Sequence, residues 1–366
     1  MRKDGKENIS SVIKNIAEIS DKDYQRRLKK INKTITTIFI LSVSFFICLA
    51  AYAVINFGPE KFVKTMESVR ISYYALAVLV LFAGYAIRFP KWQQYMKKLK
   101  VKTGVYKNFA IYLSLYSMDI TPGRWGRAVV SYTLNRLTGI SFAKTFPAIV
   151  ADIFTDFLGF AVVLILVSFF VGRYLVVSLV LTALLLIPFF FLFNKKPFDF
   201  MKPKVKHIGW LRSFFELGEL YFKERGVLGK GEYLYSMFFT IPSVILSGVA
   251  VYLVILAFGV NVGIGFLPLV LFFYFSSLIF GMITGVPATL VVTDGVFITY
   301  LVSFFGHFPF VSTLGVTSDL PFSVLVGLAS TITLFSRIIT VWFVEGFGFT
   351  ALMYTRRYWK DRGPQR

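Results

Sequence analysis

The stretch Asp119–Asp156, DITPGRWGRAVVSYTLNRLTGISFAKTFPAIVADIFTD, decides how the chain is read. It sets a Thr-Pro-Gly turn with two arginines among apolar segments. A basic loop follows, and then a membrane-length apolar run that opens with Asp152 and Asp156. The segment before the turn, Tyr106–Met118, holds about 13 residues, and a helix of that length covers roughly 20 Å, too short to cross a bilayer. The segment after it, Trp125–Leu134, is shorter still. Together they predict a re-entrant helical hairpin with its tip at Thr121–Gly126. A backbone break at membrane depth is tolerated only where protein or a water-filled cavity satisfies the freed groups.

Composition supports a membrane protein. Residues of the AVILMFWYC set make up 56% of the 366 and the mean hydropathy is +0.68, against roughly 45–50% apolar residues in soluble domains even with glycine counted. The net charge of +21 does not point to nucleic acid, because the basic residues stand in blocks between apolar runs, as cytoplasmic loops of membrane proteins do. Cys48 is the one cysteine, so no intramolecular disulfide forms. His207 and His307 lie far apart, and no CxxC or HExxH spacing is present; no metal site and no cofactor is expected.

The apolar runs predict an all-α, polytopic membrane helix bundle of about eight spans with one or two re-entrant or broken helical hairpins. The spans are Ile35–Asn56, Tyr73–Phe89, Ile149–Val171, Tyr174–Phe193, Tyr235–Phe258, Phe266–Ile283, Pro287–Phe305 and Pro321–Val344. Residues 1–34 form a basic N-terminal segment, 35–355 the transmembrane domain and 356–366 a basic tail. Arg88, Trp92, Tyr95 and the lysines around them suit the interface and cytoplasm, as does Glu345 near the other end. Of the 40 Lys and Arg, 31 fall in 1–34, 88–107, 195–230 and 356–366. With eight crossings all four segments land on one side, so the positive-inside rule puts both termini in the cytoplasm. A second break, Gly285-Val286-Pro287, echoes the first; paired breaks point to a midplane site in transporters built from repeats.

Arg124 and Arg127 stand three apart and share a helix face. After a Pro-Gly turn they also lie near a helix N-terminus, which favours an anion, and guanidinium groups bind phosphate bidentately. The plainer alternative is a pair of snorkelling interfacial arginines. Asp152 either caps its helix or enters the bundle, and Asp156 lies a turn deeper. Asp294 interrupts an uncharged run and Arg337 lies deep in the last span. A charge at the bilayer centre costs about 2.5–3.5 kcal/mol on insertion scales, so such residues face the interior and a partner. Asp294 and Arg337 therefore serve a site or form a structural ion pair. The GxxxG patterns Gly259/Gly263 and Gly281/Gly285 read as packing, and a homo-oligomer stays open.

In order and spacing these features resemble the flippase-like transmembrane region of the lysylphosphatidylglycerol synthase family, in its stand-alone bacterial and archaeal form. The family's Pro-Gly-Arg-x-Gly turn looks like Pro122-Gly123-Arg124-Trp125-Gly126. Its acidic-Arg-x-x-Asp helix start looks like Asp152-Ile153-Phe154-Thr155-Asp156. Its Pro-Gly-Gly-x-Gly-x-x-Glu is similar to Pro287-Ala288-Thr289-Leu290-Val291-Val292-Thr293-Asp294, and its last-span arginine to Arg337. Ile153 stands where the family has Arg; Ala288, Thr289 and Val291 stand for glycines, and Asp294 for Glu. The soluble aminoacyl-transferase domain of full-length synthases is absent from these 366 residues, so lipid aminoacylation by this chain alone is not expected.

The resemblance implies a membrane transporter moving a phospholipid or lipid-linked anionic or zwitterionic amphiphile between leaflets of a prokaryotic cell membrane. Membrane lipids with phosphate headgroups are then the partners. Arg124, Arg127 and Arg337 would attract the phosphate. Asp152, Asp156 and Asp294 would orient them, or take a cationic headgroup or a coupling proton. Pro122, Gly123, Gly126, Gly285 and Pro287 would break and gate the helices. Two other readings are an interfacial enzyme acting on a polyprenyl phosphate and a non-transporting membrane scaffold; no nucleophile–base set supports the enzyme.

Overall fold

A computed structural model describes residues 44–360, apart from 45–46, 49, 53, 56, 120–121, 173, 206–217, 220, 225, 227, 285–289 and 313–314. The chain divides into Met1–Ser44 and Phe45–Arg366, and all that follows belongs to the second unit. The basic segment 1–34, most of the expected first span, the break at Gly285 and Pro287, and the tail beyond 360 lie outside the described residues.

Those residues are almost wholly helical. The helices are α1 (Pro59–Glu67), α2 (Ile71–Lys98), α3 (Val105–Ser114), α4 (Val129–Thr138), α5 (Phe142–Val171), α6 (Leu175–Phe193), α7 (Lys195–Val205), α8 (Lys230–Ala257), α9 (Leu267–Thr284), α10 (Leu290–His307), α11 (Phe322–Arg337) and α12 (Val344–Lys360). One small antiparallel hairpin, β1 (Val311–Ser312) with β2 (Gly315–Val316), follows α10. Six stretches are long and apolar enough to cross a membrane: Ile71–Lys98, Phe142–Val171, Leu175–Phe193, Lys230–Ala257, Ile264–Thr284 and Phe322–Thr355. Val291–His307 is a shorter apolar helix. The chain is an all-α polytopic membrane bundle.

The bundle is inverted relative to a soluble core. On α6, Val176, Leu179, Val180, Leu184, Ile187 and Phe190 all face outward; an apolar stripe on the outside is stable only against lipid. The inward face of α5 instead holds Asp152, Thr155 and Asp156, all fully buried.

Helices α2 and α8 run antiparallel and are tied at both ends. Arg70 N–H, just before α2, donates to Ala257 O at 2.8 Å, and Lys98 Nζ pairs with Glu232 Oε1 at 2.6 Å. Between these ties Gly84 lets the Ser243 carbonyl approach to 3.2 Å of where a Cβ would stand. This pairing carries α2 beyond Phe89, through Pro90 to Lys98, and it corrects the interfacial placement of Trp92 and Tyr95. Both are fully buried: Trp92 Nε1 donates to Asn108 Oδ1 at 3.0 Å and Tyr95 Oη lies 2.7 Å from Ser236 Oγ. A buried indole or phenol needs a polar partner, and the bundle provides both.

The expected broken hairpin is present. Helix α3 passes into a 3₁₀ turn, Leu115–Met118; a second 3₁₀ segment, Pro122–Ala128, leads into α4. With ten residues each, the α-helical arms are about 15 Å long, half a hydrocarbon core. The long last span packs on this hairpin through α12. At Gly348 a Cβ would fall 2.3 Å from Ser117 N and 2.8 Å from the Tyr116 carbonyl carbon, whereas at Gly346 it would meet nothing within 4 Å. Backbone cannot yield as a side chain can. Gly348→Ala is therefore expected to destabilise by about 1–3 kcal/mol, and Gly346→Ala to be neutral or stabilising by under about 1 kcal/mol. Thermal unfolding of the two variants in detergent checks the contrast.

Candidate functional site

Helix α5 starts at Phe142, ten residues before Asp152, so Asp152 is no helix cap. Both α5 aspartates project into the bundle, where α2 and the 3₁₀ turn bring cations to them. Asp156 receives four: Arg88 Nη1 at 3.3 Å, Lys91 Nζ at 2.8 Å, Arg124 Nη1 at 3.1 Å and Arg127 Nη1 at 3.0 Å. Asp152 takes Lys91 Nζ at 3.0 Å and Arg127 Nη1 at 2.6 Å. Asp119 holds Arg127 in a bidentate fork, Nε at 2.5 Å and Nη2 at 2.8 Å. Thr155 Oγ1 at 3.1 Å and Thr240 Oγ1 at 3.4 Å share the Lys91 ammonium. Four cations thus meet three carboxylates, and the side chains of Lys91, Arg127, Asp152 and Asp156 have no exposed surface. Such a network holds only while every charge keeps its partner.

Arg124 and Arg127 do share a face, since both Nη1 atoms reach Asp156 Oδ2, but their settings differ. Arg127 is enclosed beneath the Tyr116 ring, 4.8 Å from its centroid. Arg124 adopts a φ of 61°, the left-handed region a non-glycine residue enters at a cost of roughly 1–2 kcal/mol. Its guanidinium lies 5.1 Å over the Phe160 ring, and its side chain keeps 16% exposure. That exposure opens into a cavity.

The second half of the site is the ion pair between Asp294 of α10 and Arg337 at the end of α11, joined through Arg337 Nε and Asp294 Oδ1. Both are buried. A π-helical turn, Ile338–Phe343, begins right after Arg337; such turns are rare and concentrate at functional sites.

The two halves meet at a cavity of about 80 Å³ whose wall includes Arg88, Arg124 and Arg337, the carboxylates Asp119 and Glu345, the hydroxyls of Ser243, Ser247, Tyr274 and Thr340, and the apolar Leu81, Phe160, Leu278 and Met282. Three guanidinium groups face two acids there. The volume is that of a few waters or one phosphate group. Guanidinium forks favour phosphate oxygens.

Of the site residues expected from the sequence, Arg124, Arg127, Asp152 and Asp156 come together in one network and Asp294 with Arg337 in a second pair. Arg124 and Arg337 line the cavity, while Arg127, Asp152, Asp156 and Asp294 stand behind it. Pro122, Gly123 and Gly126 lie in the 3₁₀ segment that places the arginines. Three members escaped the sequence reading: Arg88 and Lys91, taken as interfacial and cytoplasmic, and Asp119. The signal for the first two was their spacing, three apart and so on one helix face, matched by an aspartate pair four apart that likewise shares one face. Glu345, read from the sequence as interfacial, is likewise buried.

Fold and site together define a polytopic membrane protein with a buried charge network around a small cationic cavity. The family described as lysylphosphatidylglycerol synthase TM region matches residues 39–348, and the chain belongs to that family, as its motifs suggested. No curated protein gives a significant match to the chain.

Proposed function

We propose that the protein is a flippase-like transporter that moves a phospholipid, or a lipid-linked amphiphile with a phosphate headgroup, between the leaflets of a prokaryotic cell membrane. One observation carries this reading: Arg88, Arg124 and Arg337, from three separate parts of the bundle, line one phosphate-sized cavity. A guanidinium cluster inside a membrane protein is stabilised by carboxylates when the cavity is empty and can exchange one of them for a phosphate. Arg127, Asp152 and Asp156 act as the frame that holds Arg124 and Arg88 in place. The apolar wall at Leu278 and Met282 suits the lipid side of the headgroup. Both termini face the cytoplasm in this reading, from the distribution of Lys and Arg.

The test is exchange of acyl-labelled phosphatidylglycerol between leaflets of proteoliposomes, read by dithionite quenching. Wild-type protein is expected to accelerate exchange over protein-free vesicles, and Arg88→Lys/Arg337→Lys, which keeps a cation opposite Asp156 and Asp294 but loses both guanidinium forks, to slow it sharply while remaining monodisperse. Wild-type rates in that folded double variant, or no acceleration by the wild type, would remove the reading.

A further inference from the structure

The carboxylates paired with the arginines of the cavity wall are not equally protected against losing one. Asp156 is held by Arg88, Lys91, Arg124 and Arg127, so if Arg124 turns to a ligand three cations remain. Asp119 keeps the fork from Arg127. Asp294 differs: among the described residues its ion-pair partner is Arg337 alone. Its side chain is 2% exposed, and it does not line the cavity, whereas Arg337 does. A ligand in the cavity can therefore reach Arg337 and cannot reach Asp294.

Among the described residues, the elements packed on α10 offer Asp294 no replacement cation. Its own helix α10 ends at His307, 13 residues away and so about 20 Å along the axis. Helix α9 contributes Tyr274, whose ring meets Phe297 on α10. Helix α11 contributes Arg337 itself. The 3₁₀ segment Thr317–Asp319 that packs on α10 brings another acid. A bare carboxylate left there would be unpaired inside the membrane. That penalty is removed most simply by protonation, since buried groups neutralise rather than remain charged and unpaired.

We propose that entry of a phosphate into the cavity is coupled to uptake of one proton by Asp294. The phosphate takes the guanidinium of Arg337, and the carboxylate it leaves behind accepts a proton. No bond between heavy atoms changes: hydronium or a buffer acid gives up one proton, which forms the carboxyl O–H of Asp294, and Arg337 stays charged. The charge that enters with a phosphodiester is balanced by the proton, so the site passes between empty and loaded states with its net charge unchanged. A proton gradient can then bias the direction in which the loaded site empties. The coupling rests on the phosphate-binding reading above, and its failure is distinguishable from failure of that reading.

The test is calorimetric titration of the detergent-solubilised full chain with dihexanoyl-phosphatidylglycerol, whose phosphodiester does not titrate near neutral pH. Running it at one pH in buffers of different protonation enthalpy gives the number of protons taken up. The wild type is expected to take up close to one, with affinity falling about tenfold per unit rise in pH, as linkage of one proton requires. Asp294→Asn is expected to bind with no uptake and a flat pH dependence, and Asp294→Glu to restore both. Binding without proton uptake by the wild type overturns the coupling and leaves phosphate binding standing. Uptake that persists in Asp294→Asn overturns the assignment to this residue. A wild type that does not bind the lipid overturns the phosphate-binding reading and the coupling with it. If Asp294→Asn does not fold, the wild-type proton number and the Asp294→Glu titration still decide.

Discussion

Arg127→Gln is expected to cost the protein its folded state. Arg127 touches Asp119, Asp152 and Asp156 at 2.5–3.0 Å, and its side chain is fully buried. Its removal leaves three cations for three carboxylates, but the balance is misleading. Among the described residues, Asp119 loses its bidentate partner and keeps Arg124 Nε at 3.7 Å, while Asp152 keeps Lys91. Breaking a buried pair by deleting one partner costs about 3–5 kcal/mol, a large share of the roughly 5–15 kcal/mol that holds a typical protein folded. Size-exclusion profiles and thermal unfolding in detergent measure it. Arg127→Lys should fall between, because a lysine keeps the charge and loses the planar fork. A monodisperse Arg127→Gln protein with wild-type unfolding would mean that the carboxylates neutralise at little cost.

Arg124→Gln, three residues away, is expected to do the reverse: leave the fold and remove function. Asp156 retains Arg88, Lys91 and Arg127, and the Arg124 side chain already borders open space. Relief of its left-handed backbone offsets nothing, since glutamine inherits the same φ. A lost charge-assisted contact to a phosphate is worth about 1.5–3 kcal/mol, which predicts a roughly ten- to hundredfold drop in leaflet exchange. Near-normal exchange in a well-folded Arg124→Gln protein would show that its guanidinium does not meet the substrate. The contrast between these two neighbours separates the frame of the site from its working surface.

How much of this was legible in the sequence depended on the range of the physics. The hairpin could be read because its arms are too short to cross a bilayer and its turn carries Pro and Gly. Asp294 and Arg337 stood out because a lone charge in an apolar run is unfavourable wherever it sits. Arg88 and Lys91 did not stand out. A cation at the end of an apolar run usually reaches water, and nothing local distinguishes that from a cation pointing back into the bundle. What distinguishes them is α5, 65 to 68 residues downstream, where Asp156 takes both Lys91 and Arg88, and α8, where Thr240 meets Lys91.

The sequence by itself determined a helical membrane bundle of this family and a break at Pro122-Gly123, since length, hydropathy and local turn chemistry act within one segment. Only the tertiary structure decided which charges are partners and which of two arginines three residues apart faces the cavity. It also decided that, among the described residues, Asp294 has a single cation to lose. Those outcomes depend on side chains from distant segments meeting in a medium where an unpaired charge is unfavourable, and no single segment contains that information.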